Sequence, residues 1–195
     1  REHREFPKLQ IHLRKQIPVG AGLGGGSADA SYTLTGVNTL FDLGLSSAEL
    51  EDFAAQLGSD CAFFIEGGLQ LAKGRGELLS KIEPLGKTVH LVLCNPQIHV
   101  STATAYAGVQ PKNSRTALLE TFKTDGVNGL QNDFEASVFE SFPAIQNLKN
   151  KLYAAGATYA AMSGSGSSVF GIFDAAPVLS ADLSSQIIYS GLWCY

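Results

Sequence analysis

The densest cluster of chemically suggestive residues lies near the start of the chain. Pro18-Val19-Gly20-Ala21-Gly22-Leu23-Gly24-Gly25-Gly26-Ser27-Ala28 packs five glycines into seven residues ahead of a helical pattern. Without Cβ atoms, successive N–H groups can turn toward one point and a phosphate can approach closely. A helix N-terminus behind them adds roughly half a positive charge. A tight turn needing unusual dihedrals is the plainer alternative, but a turn needs fewer glycines. Gly20, Gly22 and Gly25 match the dinucleotide pattern G-x-G-x-x-G. The acidic residue at the required distance, Asp42, falls at a helix end rather than a strand end, so a dinucleotide site is rejected. Gly20 and Gly25 also frame a Walker-type spacing, but Gly26 stands where the lysine must be, which rejects a P-loop NTPase.

Two further features invite chemistry. Ser163-Gly164-Ser165-Gly166-Ser167-Ser168 is a second small-residue loop between two apolar runs, readable either as a ligand-facing loop or as a flexible hairpin turn. Asp60 follows a helix that stops at Gly58 and precedes a buried-looking apolar run. That suits a carboxylate fixed at a cleft wall, although Asp is common in ordinary turns.

Composition narrows the classes. The 195 residues carry 14 Lys and Arg against 18 Asp and Glu, a net charge of −4. A uniformly basic nucleic-acid surface is excluded, so an anionic ligand must be held by local dipoles. An apolar fraction of 45% with 16% charged residues is globular and excludes a disordered or acidic tail. No apolar stretch nears the roughly 20 residues of a membrane helix. Cys61, Cys94 and Cys194 are odd in number and scattered. They match neither a disulfide framework nor a metal site, and a cytoplasmic, reducing location is expected. The histidines include no HExxH, which argues against a zinc hydrolase.

The elements that position these residues follow from periodicity. Lys8–Lys15 alternates, with Leu9, Ile11 and Leu13 on one side, as a half-buried strand does. A helix is predicted from about Ser27 to Leu43, with Ala30, Leu34, Val37, Leu40 and Phe41 as its buried stripe and Gly44 as C-cap. Ser46-Ser47-Ala48-Glu49 is a capping box opening a second helix that Gly58 closes. Strands are expected at Leu69–Lys73, Val89–Cys94, Tyr159–Met162, Val169–Phe173 and Ile187–Trp193. Helices are expected after Ser101, from Pro143 to Ala154 and near Pro177–Ser185. The polar region around Lys112–Gly129 shows no clear pattern. Strands and helices mix without long alternation, so the fold class is α+β rather than a doubly wound parallel sheet.

The first loop resembles the PxxxGLGGGSAD signature of the GHMP small-molecule kinases, and Met162–Gly171 (MSGSGSSVFG) resembles that superfamily's third motif. Ser59–Phe64 (SDCAFF), Val100–Tyr106 (VSTATAY) and Asn132–Glu135 (NDFE) look most like the branch acting on 4-diphosphocytidyl-2-C-methyl-D-erythritol. The resemblance covers the chain from Ile11 onward. Cys61-Ala62 departs from the branch's usual Val-Pro. The leading strand of these kinases, with its catalytic Lys and Asn, and the D-G-(Y/F)-H segment after it have no counterpart in this numbering. The charged opening, which lacks a starting Met, reads as the later part of a longer protein, and the chain by itself is expected to be inactive.

The resemblance implies a two-domain architecture, residues 1–75 completing an ATP-binding N-terminal part and 76–195 forming a ferredoxin-like α/β sandwich. It implies ATP and Mg²⁺ as cofactors, with the metal ligands unassigned. Residues 18–28 would hold the ATP phosphates through backbone N–H groups. Ser27 could cap the helix, touch phosphate or ligate the metal. Asp60 would accept the proton of the acceptor hydroxyl. Thr102, Tyr106, Ser163, Gly164, Ser165 and Gly166 would face the acceptor, Tyr106 stacking on its cytosine, although an ordinary helix tyrosine is the plainer reading. The expected reaction is phosphorylation of a small molecule, the cytidyl diphosphate of methylerythritol, on its 2-hydroxyl, within non-mevalonate isoprenoid biosynthesis, by a monomer or homodimer. The alternatives are a homoserine- or mevalonate-type kinase and an inactive nucleotide-binding fragment.

Overall fold

The computed structural model describes residues 7–109 and 118–195. The first helix, α1 (Gly25–Leu40), begins two residues earlier than the periodicity suggests. Its N-cap is Gly24 at φ +63° with no side-chain cap, so Ser27 sits inside the first turn and caps nothing. The helix stops at Leu40, not Leu43, with Phe41 in place of Gly44 at its C-cap. The Asn38 side chain explains the early stop. Its amide donates to the Leu45 carbonyl and accepts from the Leu45 N–H, both at 3.0 Å, which turns the chain away. Leu40, expected on the buried stripe, is 71% exposed.

The capping box of α2 (Ser47–Leu57) forms as predicted. Glu49 N–H donates to Ser46 Oγ and Ser46 N–H donates back to the Glu49 carboxylate. Gly58 closes the helix. A one-turn helix, α3 (Phe63–Glu66), follows. Next comes a hairpin of β1 (Gln70–Lys73) and β2 (Leu78–Lys81) with Gly74–Glu77 at its tip. Sequence reading missed β2, because Leu78-Leu79-Ser80-Lys81 does not alternate. The hairpin straddles the expected domain division at residues 75/76.

The second half contains β3 (Thr88–Cys94), α4 (Thr102–Ala107), α5 (Leu118–Asp125), α6 (Glu135–Ser141), α7 (Pro143–Ala154), β4 (Tyr159–Met162), β5 (Val169–Phe173), α8 (Ala181–Ser184) and β6 (Ile187–Cys194). α5 emerges from the stretch that lacked a sequence pattern, whose residues 112–117 lie outside the described residues. α8 is a single turn, shorter than the expected Pro177–Ser185. The last four strands form an antiparallel sheet in the order β4-β5-β3-β6.

Both faces of this sheet are covered. Val92, Cys94, Ala160, Met162, Val169 and Phe173 face α7, through Ile145, Leu148 and Leu152. On the other face Val89, Tyr159, Ala161 and Ile172 meet Phe122 of α5 and Val127. Alternate residues of β4 thus enter opposite cores, and all four are buried. A third, smaller core joins Ala54, Cys61 and Ala62 to Ala30 and Leu34 of α1 and to Leu79 of β2.

The expected strand at Lys8–Lys15 does not form. No described strand pairs with it, and Leu9, Ile11 and Leu13 are exposed. Alternation specifies a strand only where a neighbour supplies a ladder.

The burial pattern sets the thiol chemistry. Cys61 and Cys94 are buried and Cys194 is exposed. Burial pushes the Cys94 thiol up to about 11 from 9.0. An Ellman titration at pH 8 should label Cys194 and spare the other two until denaturant is added. Because an unfolded Cys94 ionises at lower pH than the folded one, its contribution to stability should be intact below about pH 9 and lost by about pH 11. Thermal melts across that range check it.

Candidate active site

The glycine loop leads directly into α1. Gly20, Gly22 and Gly24 adopt φ of +71°, +73° and +63°, a left-handed conformation that glycine adopts without strain. The first ladder bond of α1 runs from Ala28 N–H to the Gly24 carbonyl at 2.9 Å. The N–H groups of Gly25, Gly26 and Ser27 therefore have no acceptor within the helix, which is the state of any first turn.

The second loop locks this one in place. Ser163 Oγ donates to the Gly22 carbonyl at 2.8 Å, and Ser168 N–H donates to the Ala21 carbonyl at 3.1 Å. The approach is so close that a Cβ on Gly22 would stand 2.2 Å from the Ser163 carbonyl oxygen and 2.7 Å from that of Gly166. The second loop is itself braced. Asn132 Nδ2 donates to the carbonyls of Met162 and Gly164, at 2.7 and 2.8 Å. Met162 N–H donates to Glu135 Oε1 at 2.8 Å, and Lys149 holds the other oxygen of that carboxylate at 2.6 Å. From below, Asn95 donates to Ser168 Oγ, and Ser167 Oγ donates to the Ile98 carbonyl.

Asp60 stands exposed in the turn between α2 and α3. Its position is fixed from α1: Ser31, fully buried, donates from Oγ to the Cys61 carbonyl at 2.6 Å. On the other side the β1–β2 tip reaches it, so that a Cβ on Gly76 would lie 3.4 Å from Asp60 Oδ1.

These parts face one cleft of about 680 Å³. Its walls include the whole of residues 18–27, Asp60, Thr102, Tyr106, Gly164 and Ser165. Of the other expected site residues, Ala28 lies in the first turn of α1, while Ser163 and Gly166 stand behind the wall holding Gly22. Tyr106 is 63% exposed, its ring edge-on to Phe134 at 4.8 Å, and so is no core tyrosine. Lys15, which pairs with Asp29, and Phe134 also line the cleft. Sequence reading gave Ser31 and the brace of Asn132 and Glu135 no site role. An (i, i+3) Asn/Glu pair was visible, but its target, the backbone of Met162 and Gly164, was not.

The interlock predicts opposite outcomes at two glycines. Gly22→Ala meets backbone and a strained φ, and should lower stability by about 1–3 kcal/mol or more. At Gly26 a Cβ meets nothing within 4 Å and φ is helical, so Gly26→Ala should melt at or slightly above the parent temperature. Urea unfolding of both variants decides it.

Comparison with known proteins agrees with this geometry. Family profiles described as the GHMP kinases N terminal domain and the GHMP kinases C terminal match residues 1–68 and 116–186. The 4-diphosphocytidyl-2-C-methyl-D-erythritol kinase of Cytophaga hutchinsonii is 47% identical over 189 residues, covering 92% of this chain and 68% of that protein. Its namesake in Bacteroides fragilis is 46% identical over 172 residues, covering 87% and 63%. A crystal structure of 4-(cytidine 5'-diphospho)-2C-methyl-D-erythritol kinase superposes with a TM-score of 0.70 at 29% identity, covering 92% of this chain and 67% of that one. Homoserine kinase from Cytophaga hutchinsonii superposes at 0.60 with 18% identity, covering 93% and 67%, a likeness of fold. The chain spans about two thirds of the length of these relatives. With that extent of identity, and with the two glycine loops meeting at one cleft, the chain belongs to the 4-diphosphocytidyl-2-C-methyl-D-erythritol kinase family of GHMP kinases.

Proposed function

We propose that this protein transfers the γ-phosphoryl group of ATP to the 2-hydroxyl of 4-diphosphocytidyl-2-C-methyl-D-erythritol, a step of non-mevalonate isoprenoid biosynthesis. The observation that carries the reading is the single cleft walled by a phosphate-cradling glycine loop, a carboxylate and an exposed aromatic ring. Relatives of 41–47% identity bear that enzyme's name, whereas the likeness to homoserine kinase extends to fold only.

In this reading the N–H groups of Gly25, Gly26 and Ser27 receive the phosphates at the positive end of α1. Tyr106 offers its face to the cytosine and Thr102 lies beside the acceptor. Asp60 takes the proton of the 2-hydroxyl as that oxygen bonds to the γ-phosphorus and the bond from that phosphorus to the β–γ bridging oxygen breaks. The chain's work is alignment and proton acceptance, which suits loops held rigidly from both sides.

The cleft also fits Mg²⁺ brought in with ATP. Among the described residues no three His, Cys, Asp or Glu side chains cluster to hold a metal. Asp29 is engaged by Lys15. What remains is the Asp60 carboxylate and the Ser27 hydroxyl, the sparse set expected for an ion ligated largely by phosphates and water. Such an ion neutralises phosphate charge. Three unpaired cysteines are compatible with a reducing cytoplasm, and no helix among the described residues is long and apolar enough to cross a membrane.

A coupled ADP-release assay of the full-length protein with the cytidyl acceptor tests the reaction, and no turnover on it would sink the assignment. Asp60→Asn should lower kcat by about 10²- to 10⁴-fold with little change in either KM. A change confined to KM would make Asp60 a binding residue. Gly26→Ala, stable by the reasoning above, should weaken ATP binding in a calorimetric titration, because its methyl occupies phosphate space.

A further inference from the structure

We propose that the tip of the β1–β2 hairpin is part of the acceptor site and that Arg75 binds the diphosphate of the nucleotidyl acceptor. This rests on the functional reading above and adds a residue that neither the motifs nor the comparisons assign.

The first reason is charge. The phosphate-cradling cleft and the space that continues it past Asp60, lined by Ser27, Ser59, Gly74, Arg75 and Tyr106, carry two carboxylates, Asp29 and Asp60, and two cations, Lys15 and Arg75. Lys15 is already paired with Asp29. Among the described residues the Arg75 guanidinium has no carboxylate within 4 Å. The carboxylate of Glu77, two residues on, is turned to the backbone instead, accepting from Arg75 N–H at 2.6 Å. Backbone N–H groups of Glu77 and Arg75, and then the Arg75 charge, hold Glu77 below its ordinary range, so it stays an anion fixed to the turn. Arg75 is thus the cation free to meet a ligand. Its fork of donors matches phosphate oxygens in a way an ammonium does not.

The second reason is placement. Gly74 and Gly76, at φ +69° and +113°, fold the tip tightly, and a Cβ on Gly76 would lie 3.4 Å from Asp60 Oδ1. Arg75 lines the same space as Asp60, the group that receives the hydroxyl proton in the reading above. It shares that space with Ser59, Asp60 and Tyr106, while of the glycine-loop run only Ser27 borders it. A phosphate met at this point belongs to the acceptor, between its reacting hydroxyl and a base stacked on Tyr106. The donor's phosphates lie over the glycines instead.

Arg75→Met and Arg75→Lys in the full-length protein test this. KM for the acceptor and for ATP are measured separately, and CDP is titrated by calorimetry with a non-hydrolysable ATP analogue saturating the donor side. Arg75→Met should raise acceptor KM and the CDP Kd about 10- to 100-fold, the range for a lost charged hydrogen bond. ATP KM should stay within about twofold, and Arg75→Lys should fall between. Unchanged acceptor KM and CDP affinity would overturn the proposal, as would a loss confined to ATP KM, which would move Arg75 to the donor side. If the parent binds CDP but does not turn over the cytidyl acceptor, the functional assignment fails while the titration still decides Arg75. The side chain is exposed at a hairpin tip, and equal melting temperatures confirm that both variants fold.

Discussion

Two backbone loops, one before α1 and one between β4 and β5, approach each other more closely than side chains would permit. Gly22 lies against the carbonyls of Ser163 and Gly166 with no room for even one methyl group. The relative placement of the two loops in the site depends on this contact. The first loop cannot turn its N–H groups toward a ligand unless its own carbonyls are occupied elsewhere. The Ser163 hydroxyl and Ser168 N–H occupy those of Gly22 and Ala21. Buried backbone polar groups demand such partners, and here meeting that demand fixes the geometry of the candidate phosphate cradle.

The brace extends outward in layers. Asn132 and Glu135 hold the strand end and loop at Met162 and Gly164, and Lys149 on α7 anchors Glu135. The Glu135–Lys149 pair is mostly buried on both sides, where removing one partner alone is far costlier than its surface equivalent. The doubly covered sheet thus supplies a rigid floor for a loop of small residues that has little stiffness of its own. Preorganisation of this kind is what phosphoryl transfer asks of a protein, since alignment and fixed dipoles carry most of the catalysis.

Charge is distributed sparingly in the cleft. In the proposed reading, a protein of net charge −4 would receive a strongly anionic pair of ligands through backbone dipoles and a few placed cations rather than a basic surface. Lys15 is committed to Asp29 at the mouth of α1, and among the described residues Arg75 at the hairpin tip has no carboxylate partner. The hairpin, α2 and α1 share a small core through Leu79, Ala54, Cys61 and Leu34. That core carries both Asp60 and the tip, and ties their positions together.

Local signals in the sequence carried far where the physics is local. The capping box at Ser46, the proline start of α7, the paired β4 and β5 and the glycine loop leading into α1 each depend on neighbours within a few positions. The same signals failed where a distant partner decides. Lys8–Lys15 alternates like a strand but forms none, because a ladder needs a second strand and no described strand lies beside it. β2 has no pattern of its own and is made by pairing with β1. α1 ends early because Asn38 folds onto Leu45. The sequence by itself determined that two glycine-rich loops and an aspartate were present. Only the tertiary structure decided that Gly22 is the point where the loops lock, that Ser31 sets Asp60, and that Arg75 comes to stand beside it. Those facts rest on the meeting of residues well separated along the chain, which no local periodicity encodes.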